Sequence, residues 1–329
     1  MKQFTSIHDV DNVEALIEKA LFFKQNPIHS YLGERKVLGM VFFNPSLRTR
    51  MSTQKAAYNL GMDVIALNAG ADGWAIETKD GVIMDGDKPE HINEAVQIMS
   101  SYCDLLAVRT FAGLQNRLAD YSEAILTKFI QLSKVPVLSL ESATLHPLQS
   151  LTDMMTIKEL GIKKPKVVLT WAPHPKALPQ AVPNSFLQWV TKSDAEVVVT
   201  HPEGYELDIQ FSQDCKIEYD QNKAFEGADI VYAKNWSSYS AYGHILSTDR
   251  SWTVTKEKMA LTNNASFMHC LPLRRNMIAT DEVVNNSVVI NQAGNRVWAA
   301  QAVLNEMLNY EKENQNIQNI NEQGRFAYR

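Results

Sequence analysis

Short apolar runs alternate along this chain with segments whose apolar residues recur every three or four positions. The first amphipathic stretch is 10–23, with Val13, Leu16, Ile17, Ala20 and Leu21 on one helical face and Asp11 available as a cap. Residues 37–43, Val-Leu-Gly-Met-Val-Phe-Phe, then read as a strand and 47–60 as a helix. Strand-like runs at 62–67, 104–108 and 135–140 alternate with helical patterns at 91–99 and 121–132. Such alternation predicts a parallel sheet covered by helices on both faces.

The pattern then restarts. A helix is predicted over 147–159 and a strand over 166–170, after the basic turn Lys163-Lys164-Pro165. A helix at 184–190, a strand at 196–200 and a helix end running into a strand at 227–232 follow. Two more strands are predicted at 266–269 and 287–290, before a long helical pattern over 292–310. The fold class is therefore α/β with two domains, 1–145 and 146–310. The segment 311–329 is rich in Asn, Gln and Glu and is expected to be a frayed polar tail. No Gly/Ser linker marks the boundary, and no internal repeat is present.

Length agrees with two domains, since 329 residues suit units of about 150. A net charge of −5 gives no electrostatic footprint for nucleic acid, so any anion site must be local. Cys103, Cys215 and Cys270 are widely spaced and form no C-x-x-C pair, which fits a reducing compartment. The first residues begin no long apolar run, and no stretch approaches the roughly 18 uncharged residues of a membrane span. A cytoplasmic protein is expected, with no nucleic-acid or membrane partner.

The chemistry gathers at predicted strand ends, where open α/β sheets bind ligands. Ser46-Leu47-Arg48-Thr49-Arg50 follows the 37–43 strand and opens a helix. Unpaired backbone N–H groups and the positive helix end would suit a phosphate there, with Arg48 binding bidentately and the Ser46 and Thr49 hydroxyls donating. A capped helix with a solvated arginine face would read the same way. Arg109 ends the 104–108 strand. His146-Pro147-Leu148-Gln149 starts a helix, with proline at a common first-turn position. His269-Cys270-Leu271-Pro272-Leu273-Arg274-Arg275 again ends an apolar strand with basic groups.

Ser-Leu-Arg-Thr-Arg, His-Pro-Leu-Gln and His-Cys-Leu-Pro, in this order and at these separations, closely resemble the transcarbamylases. The resemblance covers roughly residues 3–310 and implies carbamoyl transfer from carbamoyl phosphate to an amine. It implies a carbamoyl-phosphate domain, an amino-acid domain, and a C-terminal helix packing back on the first. It also implies a homotrimer with sites shared between subunits, and neither metal nor cofactor. By resemblance, Ser46, Leu47 (through its N–H), Arg48, Thr49 and Arg296 hold the phosphate. Arg109 and His146 polarise the carbamoyl oxygen, and Gln149 belongs to the same carbamoyl-phosphate set. Cys270 and Leu271 offer backbone carbonyls to the carbamoyl amide or the attacking amine. Arg109, His146 and Cys270 form the catalytic set. Trp74, in Ala71-Asp72-Gly73-Trp74, matches a residue that enters the neighbouring subunit's site, although a Trp buries much apolar area anywhere.

Within the family the chain resembles the members acting on N-acylated ornithine. It lacks the Asp-x-x-x-Ser-Met-Gly run with which ornithine enzymes hold a free α-amine. In its place, Thr170-Trp171-Ala172-Pro173-His174-Pro175 opens a proline-rich loop like that of the acylornithine group. Met84-Asp85-Gly86-Asp87, Ala233-Lys234-Asn235-Trp236, Arg274-Arg275-Asn276 and the run from Lys258 to Asn264 also resemble that group. Glu141, His174, Lys234, Arg274 and Pro89 are the implied acylornithine residues, with Lys234 and Arg274 as carboxylate anchors. Acetylornithine enzymes place a glutamate at the position of Pro89, where succinylornithine enzymes have proline. A glutamate would repel a succinyl carboxylate in a low-dielectric pocket, whereas proline is neutral. Adjacent Glu90 would restore an acid if the loop shifted by one residue. Ile278 departs from a lysine present in some acetylornithine enzymes.

N-Succinylornithine is therefore the expected acceptor and N-acetylornithine the alternative. A non-catalytic two-lobed anion-binding protein is an alternative of another class. A nucleotide-linked oxidoreductase shares the fold class, but no G-x-G-x-x-G occupies the first strand–helix turn.

Overall fold

The computed structural model describes residues 1–27, 31–70 and 74–326, with side chains described as far as 312. Residues 71–73, which precede Trp74 in the sequence reading, lie outside that set. The chain forms two compact units. One comprises Met1–Thr110, Ile125–Leu140 and Val297 onward, and the other Phe111–Ala124 and Glu141–Arg296. Where the sequence suggested contiguous domains meeting near 145, the chain passes between the units at four points. The excursion at 111–124 has no linker composition that would announce it.

In chain order the strands are β1 (Gln3–Phe4), β2 (Val37–Phe42), β3 (Asp63–Asn68), β4 (Ile76–Glu77), β5 (Glu90–His91), β6 (Leu105–Arg109) and β7 (Val137–Glu141). They continue as β8 (Lys166–Trp171), β9 (Glu196–Thr200), β10 (Lys216–Glu218), β11 (Ile230–Lys234) and β12 (Ser266–Met268). The first unit's sheet has the order β1-β7-β6-β2-β3 and the second unit's β10-β9-β8-β11-β12; β1–β7, β6–β2 and β2–β3 pair parallel in the first, and all four neighbouring pairs do so in the second. Central strands are buried on both faces, and β6 and β7 have no accessible position, as near-continuous apolar runs require. In β2, Gly39 makes room for a neighbour: a Cβ there would stand 2.7 Å from Cys103 Sγ. Edge strand β3 is instead nowhere fully buried, with Asp63 and Ile65 exposed and the rest half-buried.

Each sheet has one place where the chain reverses its direction across the strand order. In the first unit this lies between β2 and β6, and in the second between β8 and β11. Ligand crevices of open parallel sheets form at the carboxyl ends of such strand pairs. The fold therefore singles out Phe42–Thr49 with Arg109, and Trp171–His174 with Lys234, before any chemistry is considered.

The Pro147–Glu159 helix keeps the span its pattern predicted, and every residue from Pro147 to Ile157 is buried. Two expectations need correction. Residues 287–290 form no strand; a helix starts at Val289 and runs to Phe326. The apolar run Val288-Val289-Ile290 is too short for its period to separate strand from helix, and Val289 packs into the second unit's core beside Val231 and Phe267. Nor does the helix stop at Tyr310, because the Glu, Lys and Gln of the polar segment are good helix formers. Within the first unit this helix is tied back by Gln301 Oε1, which accepts from Asn59 Nδ2 at 2.8 Å, and by a Lys19–Glu306 ion pair. No helix among the described residues is long and apolar enough to cross a membrane.

Candidate active site

At the carboxyl end of β2 the chain turns through Asn44-Pro45 into the Leu47–Asn59 helix, with Ser46 as N-cap in extended conformation. The Ser46 hydroxyl makes no capping bond and the first turn holds no acid, so the N–H groups and the positive helix end are not neutralised locally. Thr49 is buried and Arg48 half-buried. Arg109, at the end of neighbouring β6, is in register with Phe42, and its carbonyl accepts from Phe43 N at 3.1 Å. It is 8% exposed, a buried charge at a strand end. Arg50 lies with its guanidinium 4.4 Å from the Phe42 ring centroid and bonds Asn68 Oδ1. It thereby stiffens the ends of β2 and β3 rather than joining the loop's donors.

Farther along the first unit, β4 and β5 pair and staple the base of an exposed loop. Lys88 pairs with Glu77 at 3.1 Å, and Lys128 with Asp80. Backbone N–H donation from Lys79, with Lys88 beside it, lowers Glu77 to about 2. Pro89 is exposed immediately before β5. Trp74 donates its Nε1–H to Glu90 Oε2 at 2.7 Å. The carboxylate next to Pro89 is thus engaged by an indole, and Glu90 is a strand residue rather than part of the loop.

In the second unit, Glu141 ends β7 and His146 caps the Pro147–Glu159 helix, with Nε2 3.5 Å from Glu141 Oε2. The turn between them is held by Glu123, which no motif had indicated. Its carboxylate accepts from Ser142 Oγ (2.6 Å), Ala143 N (3.2 Å), Thr144 N (2.8 Å) and Thr144 Oγ1 (2.6 Å). One turn into the helix, Gln149 Oε1 accepts from Arg296 Nη1, and Gln149 Nε2 donates to Asp153 Oδ1 at 2.7 Å. Gln292 Nε2 donates to the same oxygen at 2.7 Å. Burial pushes Asp153 up to about 7 against the lowering effect of Gln292 and Gln149. Asp153 and Gln292 also went unnoticed in the sequence. The available signal was spacing, since Asp153 follows Gln149 by four helical positions on one face.

Beyond β12, His269 N donates to Gln292 Oε1 at 2.9 Å and Leu271 N to His269 Nδ1 at 3.0 Å. Leu271 has φ 45°, a left-handed conformation that a non-glycine residue adopts only when its surroundings impose it. Burial raises the Cys270 thiol, which suits a role for its backbone carbonyl and not for a thiolate. At the β8–β11 switch, Lys234 is in register with Trp171, and Asn235 Nδ2 donates to the Ala172 carbonyl at 2.9 Å. His174 Nε2 accepts from Arg274 Nε at 3.1 Å, and its Nδ1 lies 2.9 Å from the Lys176 carbonyl oxygen and 3.1 Å from Lys176 N. Burial lowers the His174 pKa, and Lys234, Arg274 and Lys176 lower it further. Three cations around a neutral imidazole make a place for carboxylates. Among the described residues no group of three or more His, Cys, Asp or Glu is placed to hold a metal.

Comparison with known proteins agrees with this geometry. Residues 2–159 match the carbamoyl-phosphate-binding domain of aspartate/ornithine carbamoyltransferases, and 179–307 match the Asp/Orn-binding domain. An N-succinylornithine carbamoyltransferase of Bacteroides fragilis (strain 638R) is 55% identical, over 94% of this chain and 99% of its own length. An N-acetylornithine carbamoyltransferase of Xanthomonas axonopodis pv. citri is 36% identical, over 92% of this chain and 96% of its own. A solved N-acetyl-L-ornithine transcarbamylase carries a glutamate-to-proline change and is complexed with carbamyl phosphate and N-succinyl-L-norvaline. It superposes with TM-score 0.88 at 36% identity, covering 93% of this chain and 100% of that one. The phosphate-loop geometry, the parallel sheets and both domain matches agree: the chain belongs to the aspartate/ornithine carbamoyltransferase family.

Proposed function

We propose that the protein transfers the carbamoyl group of carbamoyl phosphate to the δ-amine of N-succinyl-L-ornithine, releasing phosphate and N-succinyl-L-citrulline, in arginine biosynthesis. The observation that carries the acceptor is the 55% identity, over nearly the whole chain, to an N-succinylornithine enzyme, against 36% to an N-acetylornithine one. The local chemistry supports the same choice. Lys234, Arg274 and Lys176 act together on the neutral His174 ring, and by the family resemblance Pro89 replaces a glutamate that would oppose a second carboxylate. The solved relative with proline replacing a glutamate, holding a succinylated norvaline, is consistent with that electrostatic reading.

The reaction forms a C–N bond and breaks the carbamoyl C–O bond to phosphate. The neutral δ-amine attacks the carbonyl carbon, negative charge grows on the carbamoyl oxygen, and phosphate departs with the bonding pair while the amine loses a proton. In this reading the Ser46 and Thr49 hydroxyls, the Leu47 N–H, Arg48 and Arg296 hold the phosphate. Arg109 and His146 stabilise the growing oxyanion, donors held in advance of the charge they meet. Gln149 and the Cys270 and Leu271 carbonyls orient the carbamoyl amide, while Glu141, His174, Lys234 and Arg274 hold the acylated ornithine. Assembly as a homotrimer, with Trp74 serving a neighbouring subunit, and residence in the cytoplasm complete the proposal.

Ornithine, N-acetylornithine and N-succinylornithine assayed side by side with carbamoyl phosphate test it. Highest kcat/KM is expected with the succinyl compound, and a preference for acetylornithine would replace the proposed acceptor. Pro89→Glu should shift the succinyl/acetyl ratio toward acetyl by about 10-fold or more, the scale of one like-charge contact. An unchanged ratio would remove Pro89 from the specificity argument.

A further inference from the structure

The carbamoyl group asks for two kinds of partner in the second unit. Gln149 lies on the helix that starts at Pro147, whereas the Cys270–Leu271 carbonyls lie on the turn after β12. Nothing in the primary sequence links them, yet one buried carboxyl does. Asp153 is 0% exposed, and its Oδ1 accepts from Gln149 Nε2 and from Gln292 Nε2, both at 2.7 Å. The far end of the Gln292 amide accepts from His269 N, and His269 Nδ1 in turn accepts from Leu271 N. Each amide is thereby oriented at both ends, because Arg296 donates to Gln149 Oε1. The left-handed Leu271 is a conformation that such a chain of bonds can impose.

We propose that Asp153 is a positioning residue for carbamoyl transfer: through Gln149 and Gln292 together it sets the Gln149 amide and the Cys270–Leu271 carbonyls in one geometry. The proposal rests on the carbamoyl-transfer reading above. Asp153 need not touch the substrate, since it acts through the two amides. Without its oxygen, Gln149 and Gln292 would each have a buried donor lacking an acceptor, and both sets of carbamoyl contacts would shift together. Misplacement on the ångström scale is enough to lower turnover about 100-fold.

The test uses Asp153→Ala, Asp153→Asn and Gln292→Leu in the full chain. Asp153→Ala is expected to lower kcat/KM for carbamoyl phosphate about 100-fold, with KM for N-succinylornithine within about threefold of wild type. Asp153→Asn keeps an oxygen acceptor of the same shape and should recover to within about 10-fold of wild type. Gln292→Leu breaks the same chain at its second link and should show the same split between the two substrates. If Asp153→Ala fails to fold, Gln292→Leu decides the matter alone. A folded variant of either kind with kcat/KM for carbamoyl phosphate within about threefold of wild type overturns the assignment, as does a loss carried by a raised KM for N-succinylornithine with kcat unchanged. Wild-type protein run in parallel separates the two claims. Absence of wild-type phosphate release with every acylated ornithine removes the carbamoyl-transfer reading. Normal wild-type turnover with undiminished variants removes the role of Asp153 alone.

Discussion

Asp153 also leaves a mark on stability that needs no substrate. An aspartate carboxyl ordinarily titrates near 3.8, and burial raises that of Asp153 to about 7. The native state therefore keeps a proton that the unfolded chain releases, so its contribution is full below about pH 4 and is lost as pH rises through about 7. Each unit of difference corresponds to about 1.4 kcal/mol, so the swing is on the order of a few kcal/mol. Asp153→Asn removes that titration while keeping the shape of the side chain. Denaturant unfolding of both proteins between pH 4.5 and 8 should show wild type losing stability relative to the variant as pH increases. Parallel curves would mean that the carboxyl titrates elsewhere. At this scale the named motifs were legible because they are contiguous, whereas Gln292 and Glu123, and the link from Asp153 to Gln292, acquire meaning from partners farther along the chain.

Helices and strands explain why the motif residues stand where they do. Pro147 pre-sets the helix that His146 caps, and the strand ends carry Arg109, Glu141 and Lys234 to the carboxyl edges of their sheets. The loop before His146 depends on Glu123, held at φ 49° and accepting four hydrogen bonds from Ser142, Ala143 and Thr144. Glu123→Gln removes one acceptor oxygen from that set. A loss of about 1–3 kcal/mol in urea unfolding is expected, with kcat reduced because the loop delivers His146. Unchanged kcat together with reduced stability would confine Glu123 to the fold. The patterns at 47–60 and 147–159 matched the helices Leu47–Asn59 and Pro147–Glu159, where the period runs for several turns between clear ends. The short Arg117–Tyr121, Ile209–Ser212 and Lys256–Met259 helices escaped because one turn has no period to detect.

At the scale of the molecule, the proposed trimer gives the Trp74 segment a purpose beyond its own chain. Trp74 is 48% exposed although its indole N–H is bonded to Glu90, so a large apolar face remains available to a neighbour. Light scattering should return three times the mass of one chain. Mixed oligomers of two inactive variants, Trp74→Ala and His146→Ala, should regain activity, because some shared sites would then contain both native residues. A monomeric mass, or no recovery on mixing, would end the shared-site reading. In the sequence only the family resemblance pointed to this surface, since by pattern alone an exposed tryptophan and a packed one look alike in one dimension.

The alternation of buried strands and amphipathic helices, and the proposal of residues 46–50 as an anion-binding loop, came from sequence alone. Both are local: a period of 2 or 3.6 residues and a five-residue phosphate motif report only on their own neighbourhood. Tertiary structure decided the rest. It sent residues 111–124 into the second unit ahead of the main crossing, committed Glu90 to Trp74, and turned the apparent strand at 287–290 into the start of a helix. It also joined Gln149 to the Cys270–Leu271 turn through a carboxyl that no motif contains. Hydrogen bonds between residues more than a hundred positions apart depend on the whole path of the chain, and a linear pattern carries no record of that path.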